Sequence, residues 1–238
     1  MGADSFINQL SKQTSLQFAF TGRFGQYLAR DSAPVIGKRF NPEAFIRHHL
    51  DQGAKIEFGY AHESNGQQIN SLAGYQQAQQ SLARPEFADD YISRGWDFLK
   101  LTLRSPLYKG FGTNDSVQWW FIRKQFLSHG WFQKTPEEYN TFENNPEGKP
   151  RNTVDGVALI GKYIHREQSE WFSDWKLTGV YDTGYHEIFR YNSLRLEGGV
   201  KIRGLPVIAW ASQGYNSDLA RYYKNVYARG FAVEIGAF

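Results

Sequence analysis

Alternation of apolar and polar residues with a period of two is the feature that most constrains this chain. Within residues 55–64, the apolar Ile56 and Phe58 stand at even positions, and the charged Lys55 and Glu57 stand at odd positions. Successive side chains of a β-strand point to opposite faces of its sheet, so this pattern predicts a strand with one apolar and one polar face. The alternation recurs in about ten segments, which predicts an all-β chain. The predicted strands are 16–28, 44–50, 55–64, 97–105, 116–126, 153–165, 171–181, 194–203, 205–214 and 226–236.

Two kinds of all-β protein have such strands. A soluble sandwich or lipocalin-like barrel buries the apolar face, whereas a transmembrane β-barrel turns it to lipid. No stretch approaches the ~20 apolar residues of a membrane-spanning helix, which excludes a helical membrane protein. The aromatic content of 16%, with 14 Tyr and 7 Trp, suits the aromatic girdles of a membrane barrel, and the chain ends on Phe238, as outer-membrane barrels often end on an aromatic residue. We therefore expect residues 1–238 to form a single antiparallel transmembrane β-barrel domain.

Charge and cysteine content exclude several classes of function. The chain has 27 Lys and Arg against 24 Asp and Glu, and the resulting net charge of +3 is too small to indicate a nucleic-acid partner. The absence of cysteine excludes disulfides, thiolate metal sites and cysteine nucleophiles. The first ten residues have neither the basic nor the apolar region of a signal peptide, so we expect an added start or a missing N-terminal part.

His62 and Ser64 are the first candidates for catalysis. On a strand, two residues at this spacing share a face and stand about 6–7 Å apart along the chain. An imidazole there can take the proton of a serine hydroxyl if a third polar group bonds its other ring nitrogen and fixes the tautomer. A short His-x-Ser pattern at a strand end is more often an ordinary polar rim, so the spacing alone does not identify a catalytic site.

Asp97 is the candidate for the third group. His62 and Ser64 continue the apolar row of their strand, and Asp97 begins the row that contains Leu99 on the next strand. An unpaired polar side chain is costly on a lipid-facing surface, so three of them on neighbouring strands favour a functional triad. The alternative is that all three lie above the membrane edge and contact only lipid headgroups.

These segments resemble two motifs of the bacterial outer-membrane phospholipases A. Residues 59–66 match the family motif Gly-Tyr-x-His-x-Ser-Asn-Gly. Residues 93–97 match Ser-Arg-x-Trp-Asn, with Asp97 in place of the asparagine. The resemblance extends from about residue 16 to Phe238, and its motifs at 59–66 and 93–97 are specific. Weaker similarities lie at 32–34, 41–43 and 214–222.

The resemblance implies a twelve-stranded outer-membrane barrel with its active site on the outer face, of which this chain would lack N-terminal strands. It implies a calcium-dependent hydrolase of phospholipid acyl esters that releases fatty acid and lysophospholipid. His62 would be the general base, Ser64 the nucleophile and Asp97 the orienting group, while the backbone amide of Gly66 would stabilise the oxyanion. A carboxylate accepts a hydrogen bond from an imidazole N–H, so Asp97 is compatible with activity.

Calcium and a homodimer are further implications of the resemblance. Ser93 matches the position of a side-chain ligand, and Gln67 and Ser32 match positions that give backbone carbonyls. Oxygen ligands suit a hard cation. The family takes its ligands from two subunits, so calcium binding and homodimerisation would be coupled. Gly22 stands where the family has a glutamine associated with the dimer contact.

Two other functions stay open on the sequence. A non-enzymatic pore or adhesin barrel would insert into the membrane without esterase activity or a response to calcium. A barrel esterase acting on the acyl chains of lipopolysaccharide would be separated by its substrates. The joint presence of His62, Ser64 and Asp97 favours the phospholipase, whose partners would be phospholipid substrate and the lipid of the outer membrane.

Overall fold

The structure is a computed structural model that describes residues 13–26, 35–133, 149–167, 169 and 172–233. In these ranges, eleven antiparallel strands form one sheet in chain order, except that the short β5 pairs only with β6. The predicted antiparallel β-structure is therefore confirmed. The strands are β1 (Thr14–Gln26), β2 (Val35–His49), β3 (Lys55–Ser64), β4 (Gly95–Arg104), β5 (Tyr108–Lys109), β6 (Asp115–Phe126), β7 (Gly156–His165), β8 (Phe172–Gly184), β9 (Asn192–Ile202), β10 (Leu205–Gly214) and β11 (Val226–Val233).

In the described part of the chain, the helices lie in the connections between strands. The ten-residue α1 (Leu72–Ser81) begins at Ser71, whose side chain accepts a hydrogen bond from the backbone of Gly74 and so caps the first turn. A single turn, α2 (Arg151–Val154), precedes β7, and 3-10 turns lie at Asp51–Gly53 and Pro85–Tyr91. Among the described residues, no helix combines the length and the apolar character needed to cross a membrane.

Strand boundaries were predicted best where alternation runs unbroken. The predictions 55–64 and 205–214 coincide with β3 and β10. In contrast, β2 begins at Val35 rather than at position 44, because Asn41 and Pro42 interrupt the alternation although Pro42 still pairs with Phe20 of β1. The prediction of strand from position 153 was wrong, because the helical turn α2 occupies those positions and β7 starts at Gly156.

The sheet exposes its apolar face and buries its charged one. Phe58 is 53% exposed, whereas its neighbour Glu57 and the next charged residue, Glu63, are 8% and 3% exposed. A soluble protein would do the reverse, because a continuous exposed apolar surface is avoided in water. The pattern fits an outer face that contacts lipid. Exposed apolar strand residues include Leu16, Phe18, Phe20, Phe24, Ile46, Phe58, Trp119, Leu159, Phe172, Leu177, Leu194, Leu196, Leu205 and Phe231.

Charged side chains on the inner face pair with one another. Lys100 on β4 donates to Glu43 on β2 at 2.6 Å, across the intervening strand β3. Arg47 on β2 contacts Glu57 on β3 at 2.7 Å. Buried charges are tolerated when they are paired in this way, so these ion pairs stabilise a polar inner face.

The two longest connections leave the same end of the sheet. The segments 65–94, 127–155, 185–191 and 215–225 follow β3, β6, β8 and β10, whereas only two residues join β9 to β10 at the other end. Two buried clusters pack within these connections, and one of them includes Trp96 at the start of β4. Their members are Trp96, Val154, Leu219, Tyr222 and Tyr223 in one and Ile69, Tyr75, Ala88 and Ile92 in the other.

Candidate active site

His62 and Asp97 face each other across the paired strands β3 and β4. The Nδ1 atom of His62 lies 2.6 Å from Oδ1 of Asp97. Because a carboxylate only accepts, Nδ1 carries the proton and Nε2 is left free to act as a base. Asp97 is 1% exposed, so water does not compete for this bond. The structure thus joins two of the three predicted catalytic residues.

Ser64 lies two residues beyond His62 and therefore on the same face of β3. Its neighbours across the sheet are Phe40 on β2 and Gly95 on β4. The described residues include no hydrogen bond between Ser64 and His62. Catalytic hydrogen bonds are often long before substrate binds, so the separation leaves the predicted role of Ser64 open.

A segment that follows β6, residues 127–133, covers the carboxyl group of Asp97. We call it the cap segment. The backbone N–H groups of Phe132 and Gln133 both donate to Oδ2 of Asp97 at 2.9 Å, and the N–H of Leu127 donates to its backbone carbonyl at 2.9 Å. The Phe132 ring lies 5.3 Å from the His62 ring. The cap segment therefore buries Asp97 and leaves only its Oδ1 atom for His62.

The outer surface of the cap segment is aromatic. Trp131 is 85% exposed and Phe132 is 65% exposed. The N–H of Trp131 donates to the hydroxyl of Tyr60 at 2.7 Å, and the two rings lie 4.8 Å apart. These contacts extend the apolar outer face of β3 up to the edge of the candidate site.

Asn65 joins the two segments that carry the predicted oxyanion and calcium positions. It is 2% exposed, and its Oδ1 accepts from the backbone N–H groups of Arg94 at 2.9 Å and Gln67 at 3.3 Å. Its Nδ2 donates to the carbonyl of Ile92 at 2.7 Å. Gly66 follows with φ of +56°, a left-handed conformation that glycine adopts without strain.

The expected calcium positions Gln67 and Ser93 lie on two segments that hydrogen bonds of Asn65 join. The N–H of Ser93 donates to the carbonyl of Ile69 at 2.8 Å, and Asn65 hydrogen-bonds to Ile92 and Arg94, which flank Ser93. Ser32, the third expected position, lies outside the described residues. Within the described ranges, no group of three His, Cys, Asp or Glu residues is placed to hold a metal ion. A hydroxyl and backbone carbonyls on adjoining segments nevertheless fit the oxygen preference of calcium.

A buried ion network supports the site from the inner face. Glu63, between His62 and Ser64, lies 2.9 Å from the guanidinium of Arg151 and 3.3 Å from that of Arg39. Arg151 also contacts Asp155 at 2.7 Å. Burial alone would lower the pKa of Arg151, but the carboxylates of Asp155 and Glu63 raise this pKa above its ordinary value. The charged guanidinium therefore ties the connection before β7 to the strand that carries His62 and Ser64.

Sequence reasoning missed the cap segment and the part played by Asn65. In the sequence, Asn65 is only one position of a motif. Its three hydrogen bonds depend on the pairing of β3 with β4, which the motif does not describe. In the cap segment the available signal was Gly130 beside the aromatic pair Trp131 and Phe132. No sequence rule connects such a loop to Asp97, which lies 35 positions before Phe132.

Comparison with known proteins gives structural relatives. No family model matches the chain, and no curated protein matches its sequence. The fold is similar to that of outer membrane phospholipase A from Escherichia coli, with a TM-score of 0.58 and 16% identity over 93% of this chain and 70% of that one. The same values describe its similarity to the calcium-bound dimer of Salmonella typhi outer membrane phospholipase and to an active-site mutant of the Escherichia coli enzyme. The predicted fold class is confirmed, because the chain forms an antiparallel sheet whose fold is similar to the β-barrel of the outer-membrane phospholipases.

Proposed function

We propose that the protein is a calcium-dependent outer-membrane phospholipase A that hydrolyses the acyl esters of phospholipids. The observation that carries this proposal is the 2.6 Å bond between His62 and Asp97 on the outer face that also bears Ser64. The similarity to outer-membrane phospholipases supports the location and the reaction class.

In the proposed reaction, Oγ of Ser64 attacks the ester carbonyl while Nε2 of His62 takes its proton. The proton then passes to the oxygen of the leaving lysophospholipid, and an acyl-serine remains. Water attacks this ester with His62 again as the base, which releases the fatty acid and restores Ser64. Asp97 stabilises the imidazolium that forms in both halves. Substrate binding must bring Ser64 and His62 within hydrogen-bond distance.

Stabilisation of the oxyanion is assigned to the segment after β3. The backbone N–H of Gly66 would donate to the developing negative charge. The carbonyls of Gln67 and Ser32 and the hydroxyl of Ser93 would hold calcium, whose chemistry when bound is electrostatic stabilisation of that charge. One of the similar structures is a calcium-bound dimer, and we expect calcium to promote a homodimer here as well.

Substrate would reach the site from the membrane. Phe58 is exposed on the same row of β3 as His62 and Ser64, and Ile46 is 52% exposed on the neighbouring β2. Acyl chains in the bilayer contact this apolar face directly, so the ester lies near the row of Ser64 without leaving the lipid. Phospholipid is therefore the substrate class that fits the position of the site.

The test is fatty-acid release by detergent-refolded protein in calcium and in chelator. We expect calcium-dependent release that falls on the order of 10³-fold or more in Ser64→Ala. Ser212→Ala on β10, remote from this site in the strand order, is the matched control and should keep the wild-type rate. Folded wild-type protein that releases no fatty acid would contradict the proposal and favour a non-enzymatic barrel. Release from lipopolysaccharide alone would indicate the other esterase.

A further inference from the structure

The carboxyl group of Asp97 is surrounded by hydrogen-bond donors. Its Oδ1 receives the N–H of His62 at 2.6 Å, and its Oδ2 receives the N–H groups of Phe132 and Gln133 at 2.9 Å each. The hydroxyl of Tyr60 is a further hydrogen-bonding neighbour. A side chain at this position must therefore accept on both of its oxygens.

The cap segment is built to keep these donors in place. Gly130 donates to the carbonyl of Gln133 at 2.9 Å, which closes a turn, and Trp131 is fixed to Tyr60 on β3. A Cβ atom added at Gly130 would overlap the carboxyl group of Asp97. Only a glycine thus lets the turn approach Asp97 closely enough for two peptide N–H groups to reach one oxygen.

We propose that the cap segment is a positioning element of this site, which holds Asp97 through its backbone and makes a carboxylate the required residue at position 97. The inference rests on the proposed function, in which Asp97 orients His62. The orientation of His62 is then set by three elements, β3, β4 and the segment after β6.

An asparagine, the residue in the family motif, does not fit this environment. An amide has one accepting oxygen and one donating nitrogen. If its oxygen faced His62, its NH₂ group would point at the two N–H donors of Phe132 and Gln133. If it were turned round, the NH₂ group would point at Nδ1 of His62 and favour the wrong tautomer. This chain has Asp97 where the family motif has asparagine, and only the carboxylate can accept the hydrogen bonds that the cap segment donates.

The test compares Asp97→Asn, Gly130→Ala and their double variant in calcium, using a soluble short-chain ester. Gly161→Ala is the matched control, because a Cβ there meets nothing within 4 Å. We expect kcat to fall about 100-fold in Asp97→Asn and at least about tenfold in Gly130→Ala, with KM little changed. Because both act through the same bonds, the double variant should be about as slow as Asp97→Asn alone.

A second readout does not depend on activity. The ¹⁵N spectrum of histidine-labelled protein, assigned with His62→Gln, reports which ring nitrogen of His62 carries the proton. We expect the Nδ1–H form in the wild type and in Gly161→Ala, and a loss of this signature in both site variants. Asp97→Asn with wild-type kcat and an unchanged signature would overturn the inference. If the wild type is inactive but shows the expected ¹⁵N signatures, the proposed function is contradicted and the inference about the cap segment stands. Asp97→Asn is nearly isosteric and carries the test if Gly130→Ala does not refold.

Discussion

Ser64 and Gly95 face each other across β3 and β4. A Cβ at Gly95 would lie 3.4 Å from Cε1 of His62 and 3.1 Å from Oε1 of Gln133. The glycine therefore keeps free the space beside the proposed nucleophile and its base.

We expect Gly95→Ala to lower kcat/KM for phospholipid about tenfold, because small displacements of reacting groups have large effects on rate. Initial rates in mixed micelles measure the effect. Gly179→Ala is the control, since its added Cβ would be in ordinary contact with Leu196 at 3.7 Å. Equal rates for the two variants would show that the space at Gly95 is not used.

The exposed Trp131 leads to a prediction about lipid contact. An aromatic side chain at the edge of an apolar outer face partitions into the membrane interface. We expect Trp131→Ala to lower hydrolysis of vesicle phospholipid by about three- to tenfold, and to affect a soluble ester less.

Phe111→Ala is the matched control for Trp131. Phe111 is 99% exposed and lies in the connection between β5 and β6, at the opposite end of the strands. The ratio of vesicle to soluble-ester activity should stay at the wild-type value in this variant. If the ratio changes equally in both variants, exposed aromatic residues promote membrane contact wherever they lie, and Trp131 has no special role at the site.

Alternation predicted the strands well because each side chain of a strand meets only one of two environments. The row of Ile56 and Phe58 faces outward, and Glu57 faces the paired charges inside, so the sequence itself records the geometry of β3. The same parity placed His62 and Asp97 on one face of adjacent strands. Their pairing followed because the connection between β3 and β4 brings positions 62 and 97 into register.

The cap segment could not be predicted in this way. Its contacts with Asp97 are made by the backbone N–H groups of Phe132 and Gln133, which every residue but proline carries. The side chains of the cap segment therefore give almost no sign of this interaction in the sequence. Gly130 is the exception, because a Cβ there would overlap Asp97. The start of β2 was missed for a related reason, because Pro42 continues the strand without continuing its alternation.

Arg151 gives a prediction about stability. It is wholly buried and contacts both Glu63 and Asp155. Arg151→Ala would leave two buried carboxylates without this cation, which costs about 3–5 kcal/mol. Arg190→Ala removes an exposed contact with Glu187 and should cost at most ~1 kcal/mol. Denaturant unfolding in detergent micelles measures both, and similar losses would contradict a special role for the buried network.

The same network predicts a dependence on pH. Burial alone would raise the pKa of Asp155, but Lys124 and Arg151 bring this pKa well below its ordinary value. A carboxylate with a lowered pKa stabilises the fold above the pKa of the unfolded chain, about 3.9, and this contribution is lost as the pH falls below that value. We expect the free energy of unfolding to fall below about pH 4, and to fall less steeply in Asp155→Asn. A steeper acid dependence in the variant would contradict this assignment.

The last prediction concerns Asn65, which is not a proposed calcium ligand but should affect calcium affinity. Its side chain joins the segments of Gln67 and Ser93 through three hydrogen bonds. Without it, the proposed ligands must be ordered by the ion itself, so we expect Asn65→Ala to raise the calcium concentration for half-maximal activity about 10- to 100-fold. Asn192→Ala loses an exposed hydrogen bond to Phe189 and should leave this concentration unchanged. If Asn65→Ala lowers the rate at every calcium concentration without shifting the midpoint, Asn65 supports the fold of the site, and the ion is bound elsewhere.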